Sequence, residues 1–129
     1  MDSLIITSIT AILLTVIYLA QTFSVIAMRR KHGIVLGDGE IRKMQKRMRG
    51  HGNSAEQMPL FLILIALAEF QGANIWSIGT TSALFVLGRM AHGFYFLDTG
   101  AHHKFRMVGM AMTLFGQIFA AIILTATIL

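Results

Sequence analysis

Four long apolar blocks alternate with short polar joints along the chain. They cover residues 4–28, 53–71, 75–97 and 105–128. At about 1.5 Å per helical residue, each is long enough to cross a hydrocarbon core of about 30 Å. The pattern predicts an all-α membrane protein, a four-transmembrane-helix bundle in a single domain over residues 1–129. Pro59 lies inside the second block, where a membrane helix tolerates proline with a kink. Gln21 in the first block is expected to act as interhelical glue, and Gly109 and Gly116 in the fourth to admit a close neighbour. Glu69 stands near the far end of the second block, within reach of water.

The joints differ in charge, and the difference orients the bundle. Most basic residues fall between Arg29 and Arg49, with Lys104 and Arg106 at the third joint, while Gln71 to Asn74 carry none. The positive-inside rule then puts the first and third joints in the cytoplasm and both termini on the other side. A cationic run beside membrane spans meets anionic headgroups, so lipids rather than nucleic acid are the expected partner. Gly33, Gly37 and Gly39 mark the first joint as a loop, with Asp38 or Gly39 capping a helix that has Glu40 in its first turn. Asp2 stands where a signal peptide has its basic region, and the run after it is too long for cleavage, so the first block is expected to be retained.

Composition agrees: 55% of residues are hydrophobic and 13% charged, against about 25% charged in an ordinary soluble domain. The absence of cysteine excludes disulfides, thiolate metal sites and a cysteine nucleophile. If thiol chemistry occurs here, the thiol arrives with a bound molecule. His102 and His103 have no Cys, Asp or Glu at helical spacing, and no metal site is expected. They sit in the polar turn that runs from Asp98 to Lys104.

Polar residues inside the blocks are the candidate chemistry. Arg49, Asn53 and Glu56 fall at i, i+4 and i+7, on one helical face. Arg89, His92 and Tyr95 or Phe96 repeat the pattern in the third block, and Arg106 opens the fourth. Ionisable groups at membrane depth are costly unless paired, so they mark a site by default. A structural Arg89–Glu56 ion pair is the simpler alternative. By the predicted orientation all of these residues share the cytoplasmic leaflet. Arginines suit carboxylates, Glu56 suits an amine, and an arginine beside a thiol favours the thiolate. A small, flexible, zwitterionic ligand is the expected guest.

Three motifs are similar to those of one family. The run R-x-H-x-N-x-x-E-x-x-P stands as Arg49, His51, Asn53, Glu56 and Pro59. Gly88-Arg89-Met90-Ala91-His92 and Phe105-Arg106-Met107-Val108-Gly109 follow in the third and fourth blocks. Together they resemble the MAPEG proteins (membrane-associated proteins in eicosanoid and glutathione metabolism), in a bacterial-type form similar to microsomal glutathione transferase. The resemblance implies a homotrimer with glutathione held between subunits near the cytoplasmic face of a bacterial inner membrane. It implies Arg49, Asn53, Glu56, Arg89 and His92 as glutathione-binding residues and Arg106 as the catalytic residue that stabilises the thiolate. Tyr95, one position before the family's tyrosine, is carried as a further contact. Gly52 replaces an arginine of the eicosanoid enzymes, Phe96 their tyrosine, and Met107 a serine of some members. These departures point away from leukotriene or prostaglandin chemistry. The expected function is a membrane-embedded glutathione transferase or peroxidase acting on lipophilic electrophiles. A non-catalytic lipid-binding scaffold is the alternative. A small multidrug exporter is disfavoured because the first block carries no acidic residue.

Overall fold

The computed structural model describes residues 4–97 and 100–129. Asp2 and the Asp98–Thr99 start of the third joint lie outside the described residues. Four helices run up and down: α1 (Ile5–His32), α2 (Arg42–Phe70), α3 (Ile75–Leu97) and α4 (Lys104–Ile128). α2 and α3 form the centre, each packed against α1 and α4, and among the described residues α1 and α4 do not touch.

Local sequence explains the helix ends. α1 closes on Gly33, whose left-handed backbone (φ 63°) turns its N–H back to the last carbonyls, with Arg29, Arg30, Lys31 and His32 in the negative end of the helix dipole. α2 begins at Arg42, later than the expected cap at Asp38 or Gly39, and Ile41 supplies no side-chain cap. Asp38 instead accepts the Glu40 N–H at 2.8 Å, and Glu40 stays outside the helix with φ 59°. That bond, with the Gln45 side chain, holds the Asp38 carboxyl below its usual range. α3 starts beneath Asn74, whose side-chain oxygen takes the N–H groups of Trp76 and Ser77. α2 continues through Pro59, and Gln117 of α4 donates to the nearby Gln57 carbonyl at 3.3 Å.

The bundle is apolar outside and partly polar inside, the inverse of a water-soluble domain. Ile5, Ile9, Ile12, Val16 and Phe23 of α1 and Phe115, Ile118 and Ile122 of α4 face outward. Arg89, Gln21, Ser54 and Thr113 are fully enclosed. α1 and α4 are each long and apolar enough to cross a membrane, with mean hydropathy of 2.0 and 2.1 in their best windows. The apolar core lies away from the polar end: Leu14, Met58, Ile65, Ile78 and Ala120 surround the Phe61 and Phe85 rings, stacked at 3.7 Å.

Two contacts set the helix spacing. Gly88 and Gly109 bring α3 and α4 to backbone contact: a Cβ on Gly109 would stand 2.5 Å from the His92 nitrogen, and one on Gly88 2.9 Å from the Gly109 carbonyl. Gly116 does the same more loosely beside Phe85, as the sequence led one to expect. At the opposite end, Glu69 of α2 caps α1. Its carboxylate accepts the Ile6 N–H (2.9 Å), the Thr7 N–H (2.8 Å) and the Thr7 hydroxyl (2.7 Å). It serves as the N-cap that Leu4 cannot provide. Gln21 packs onto Gly93, yet among the described residues its amide has no hydrogen-bond partner, so it joins α1 to α3 by contact rather than by a bond.

Candidate functional site

α2, α3 and α4 line an open cavity of about 550 Å³ at the end of the bundle that carries the basic joints. One side is polar: Arg49 and Asn53 from α2, His92 from α3 and Arg106 from the first turn of α4. The other is apolar: Phe96, then Met107, Met110, Ala111 and Leu114 along one stripe of α4. A smaller groove of about 310 Å³ between α1 and α2, lined by Leu14, Tyr18, Met58 and Pro59 among others, contains no charged side chain.

The turns of α2 that precede the cavity are held from behind. Arg47 donates to the Ser24 hydroxyl (2.7 Å) and carbonyl (3.2 Å) of α1. His51 stacks on Tyr18 and its Nε2 lies 3.1 Å from the Thr22 hydroxyl. With these residues bound to α1, Arg49 and Asn53 are left on the cavity side. Gly50 is buried against Phe96: a Cβ there would come within 2.5 Å of the phenylalanine's Cβ, so only glycine lets the ring settle against α2.

Arg89 lies behind the wall and is wholly buried. Its Nη1 donates to the Asn53 side-chain oxygen at 2.9 Å, and its Nη2 to the Ser54 hydroxyl at 2.7 Å. Nη2 also stands 3.3 Å from His92 Nδ1. A guanidinium has no acceptor, so His92 accepts there through Nδ1 and carries its proton on Nε2. One buried cation thus fixes the rotamer of Asn53 and the tautomer of His92, both of which line the cavity. The Arg89 Nε has no hydrogen-bond partner among the described residues. The alternative of an Arg89–Glu56 pair is not what forms. The guanidinium is turned toward Asn53 and Ser54, and Glu56, one turn beyond Asn53, is exposed.

A profile of the MAPEG family matches residues 7–126. The chain belongs to the MAPEG family. It is similar to the inner membrane protein YecN of Escherichia coli strain K12, with 28% identity over 106 residues that cover 80% of this chain and 77% of YecN. YecN of Escherichia coli O6:H1 strain CFT073 matches to the same extent. The apolar exterior described above is accordingly that of an integral membrane protein of this family.

Within this MAPEG chain the expected site residues divide. Arg49, Asn53, His92 and Arg106 meet at the one cavity. Arg89 supports it without lining it. Glu56 stands clear of the cavity, and Tyr95 lies outside it, with the Lys46 ammonium 3.9 Å above its ring. Three i, i+3 and i+4 residues of α4, Met107, Met110 and Ala111, together with Leu114 form the apolar wall. Their helical spacing was visible in the sequence but could not be told from a lipid-facing stripe. Ser54, fully buried on Arg89, gave no signal of its own. Among the described residues no group of three His, Cys, Asp or Glu is placed to hold a metal.

Proposed function

We propose that the cavity binds glutathione and presents its thiolate to a lipophilic electrophile dissolved in the bilayer. The observation that carries this reading is the two-sided cavity, with cations and an amide on one side and a methionine-lined wall on the other. Arg49 suits a carboxylate of the tripeptide and Arg106 its thiolate, and Asn53 and the His92 Nε2–H suit its peptide groups. Met107, Met110 and Leu114 suit an apolar partner of varied shape, because methionine adapts to irregular surfaces. Arg106 is the residue assigned to the thiolate: a guanidinium beside sulfur favours the ionised form. With the thiol proton released to water, the sulfur attacks the electrophile's carbon and a new carbon–sulfur bond forms as the leaving group departs with its bonding pair, with rate gained from positioning and charge stabilisation.

A homotrimer in the inner membrane, with the basic joints in the cytoplasm, is part of the same proposal. Glu56 supports it. A carboxylate exposed on a membrane helix is costly against acyl chains, and a neighbouring copy would cover it. The similarity to an inner membrane protein and the basic first joint support the location and the orientation.

The test is glutathione titration by calorimetry, paired with conjugation of an activated chlorinated aromatic by the purified protein. Heat of binding with turnover that falls at least tenfold in Arg106→Ala supports the proposal. Binding without turnover in any electrophile panel assigns the cavity to a non-catalytic scaffold, and no binding removes glutathione altogether.

A further inference from the structure

The loop between α1 and α2 carries two of the most exposed large apolar side chains in the protein, Val35 at 93% and Leu36 at 90%. The outward apolar residues of α1 and α4 belong to spans. These two do not, because they follow the cations that end α1. Ile34 beside them is by contrast half-buried beneath Gly39, where a Cβ would stand 2.7 Å from its Cδ1.

Their depth is set by hydrogen bonds. After the left-handed turn at Gly33 the chain folds back, and the Ile34 N–H donates to the Arg29 carbonyl at 3.0 Å. The Arg29 Nη1 donates to the Val35 carbonyl at 3.4 Å, and its Nη2 reaches the Met48 sulfur of α2 at 3.8 Å. Val35 is therefore held level with Arg29, the residue that follows the apolar stretch ending at Met28. With α1 read as a span, the change from apolar residues to Arg29, Arg30 and Lys31 is where hydrocarbon would give way to headgroups, a zone several ångströms deep on each side of a bilayer. Arg30 and Lys31 before the loop and Arg42 and Lys43 after it are all exposed. They outnumber the loop's carboxylates, Asp38 and Glu40, and Asp38 is engaged with the Glu40 N–H.

We propose that this loop is an interfacial anchor for an anionic phospholipid leaflet: Val35 and Leu36 enter the boundary between headgroups and acyl chains, and Arg30, Lys31, Arg42 and Lys43 meet the phosphates. Apolar insertion and headgroup attraction reinforce one another, as they do for basic amphipathic segments on anionic membranes. Because α2 follows directly, the anchor also fixes the height of Arg49 and the cavity mouth above the leaflet. The proposal does not depend on what the cavity binds.

The cysteine-free chain makes the test clean. Single spin labels are placed through Val35→Cys and, separately, Leu36→Cys, both at exposed positions where the fold is indifferent to the change. Each labelled protein is reconstituted in vesicles of phosphatidylglycerol with phosphatidylcholine, and in phosphatidylcholine alone. In the anionic vesicles both labels should be reached by oxygen and shielded severalfold from a water-soluble nickel chelate. The shielding should weaken in the neutral vesicles. Free access of the chelate in both membranes would overturn the proposal. So would shielding that ignores lipid charge. Spin–spin broadening that vanishes on dilution with unlabelled protein would do so too, by assigning the loop to a neighbouring copy.

Discussion

Glu69 and Arg89 are both ionisable residues inside a membrane bundle, at opposite ends of it, and they are satisfied in different ways. Glu69 receives three hydrogen bonds from a single turn of α1 and closes the end of that helix. Arg89 spreads its donors over Asn53 and Ser54 of α2 and His92 of its own helix, and keeps one N–H without a partner. Two of those three partners face a cavity. Glu69 is thus a fastening with nothing behind it, whereas Arg89 holds in place the side chains that a ligand would meet. The contrast separates a charge kept for the fold from one kept for the site, and each side of it can be broken.

The largest change in stability is expected at Arg89. Arg89→Met leaves the Asn53 oxygen and the Ser54 hydroxyl without donors, at about 1–3 kcal/mol each. The unfolding midpoint in detergent should fall accordingly, and glutathione binding should be lost with it. A more stable Arg89→Met protein would mean that the guanidinium is a burden on the fold rather than an organiser. Glu69→Ala comes next. It removes charge-assisted bonds worth about 1.5–3 kcal/mol, and amide exchange at Ile6 and Thr7 should accelerate while glutathione affinity stays within twofold. Loss of affinity in that variant would erase the distinction between the two ends.

Gly109→Ala sharpens the comparison from the α4 side. The added methyl meets the His92 backbone, so α3 and α4 must part, at about 1–3 kcal/mol. Affinity should drop as well, because Arg106 lies one turn before Gly109 and would move away from His92. Arg106→Ala should change stability least, by about 0.5 kcal/mol or less, as expected for an exposed side chain. Its thermal transition should overlay that of the parent protein while turnover collapses.

Much of the architecture was legible before any coordinates. Apolar block length marked all four helices, and the i, i+4 and i, i+3 spacings put Arg49 with Asn53 on one face of α2 and Arg89 with His92 on one face of α3. Periodicity states which residues share a face of one helix. It does not state which neighbour that face meets. Glu56 shares the stripe of Arg49 and Asn53, about 20° round the helix from Arg49, but stands two turns beyond Arg49 along α2 and does not line the cavity. Tyr95 is separated from Phe96 by about 100°, so Phe96 lines the cavity and Tyr95 meets Lys46. Ser54 and Glu69 were unreadable for a different reason. Their partners are 35 and 62 to 63 positions away in sequence, so their roles exist only once the helices pack. The charge of the joints supplied what spacing could not, by putting Arg106 of α4 in the same leaflet as the polar residues of α2 and α3, and the family motifs then gave it a role.

The most direct measurement is a parallel glutathione titration of the parent protein, Glu69→Gln and Arg106→Ala in one lipid or detergent. The account predicts equal affinity for the parent and Glu69→Gln, and at least tenfold weaker binding for Arg106→Ala with an unchanged unfolding midpoint. Equal affinity in all three, or binding that tracks Glu69 instead of Arg106, would contradict it.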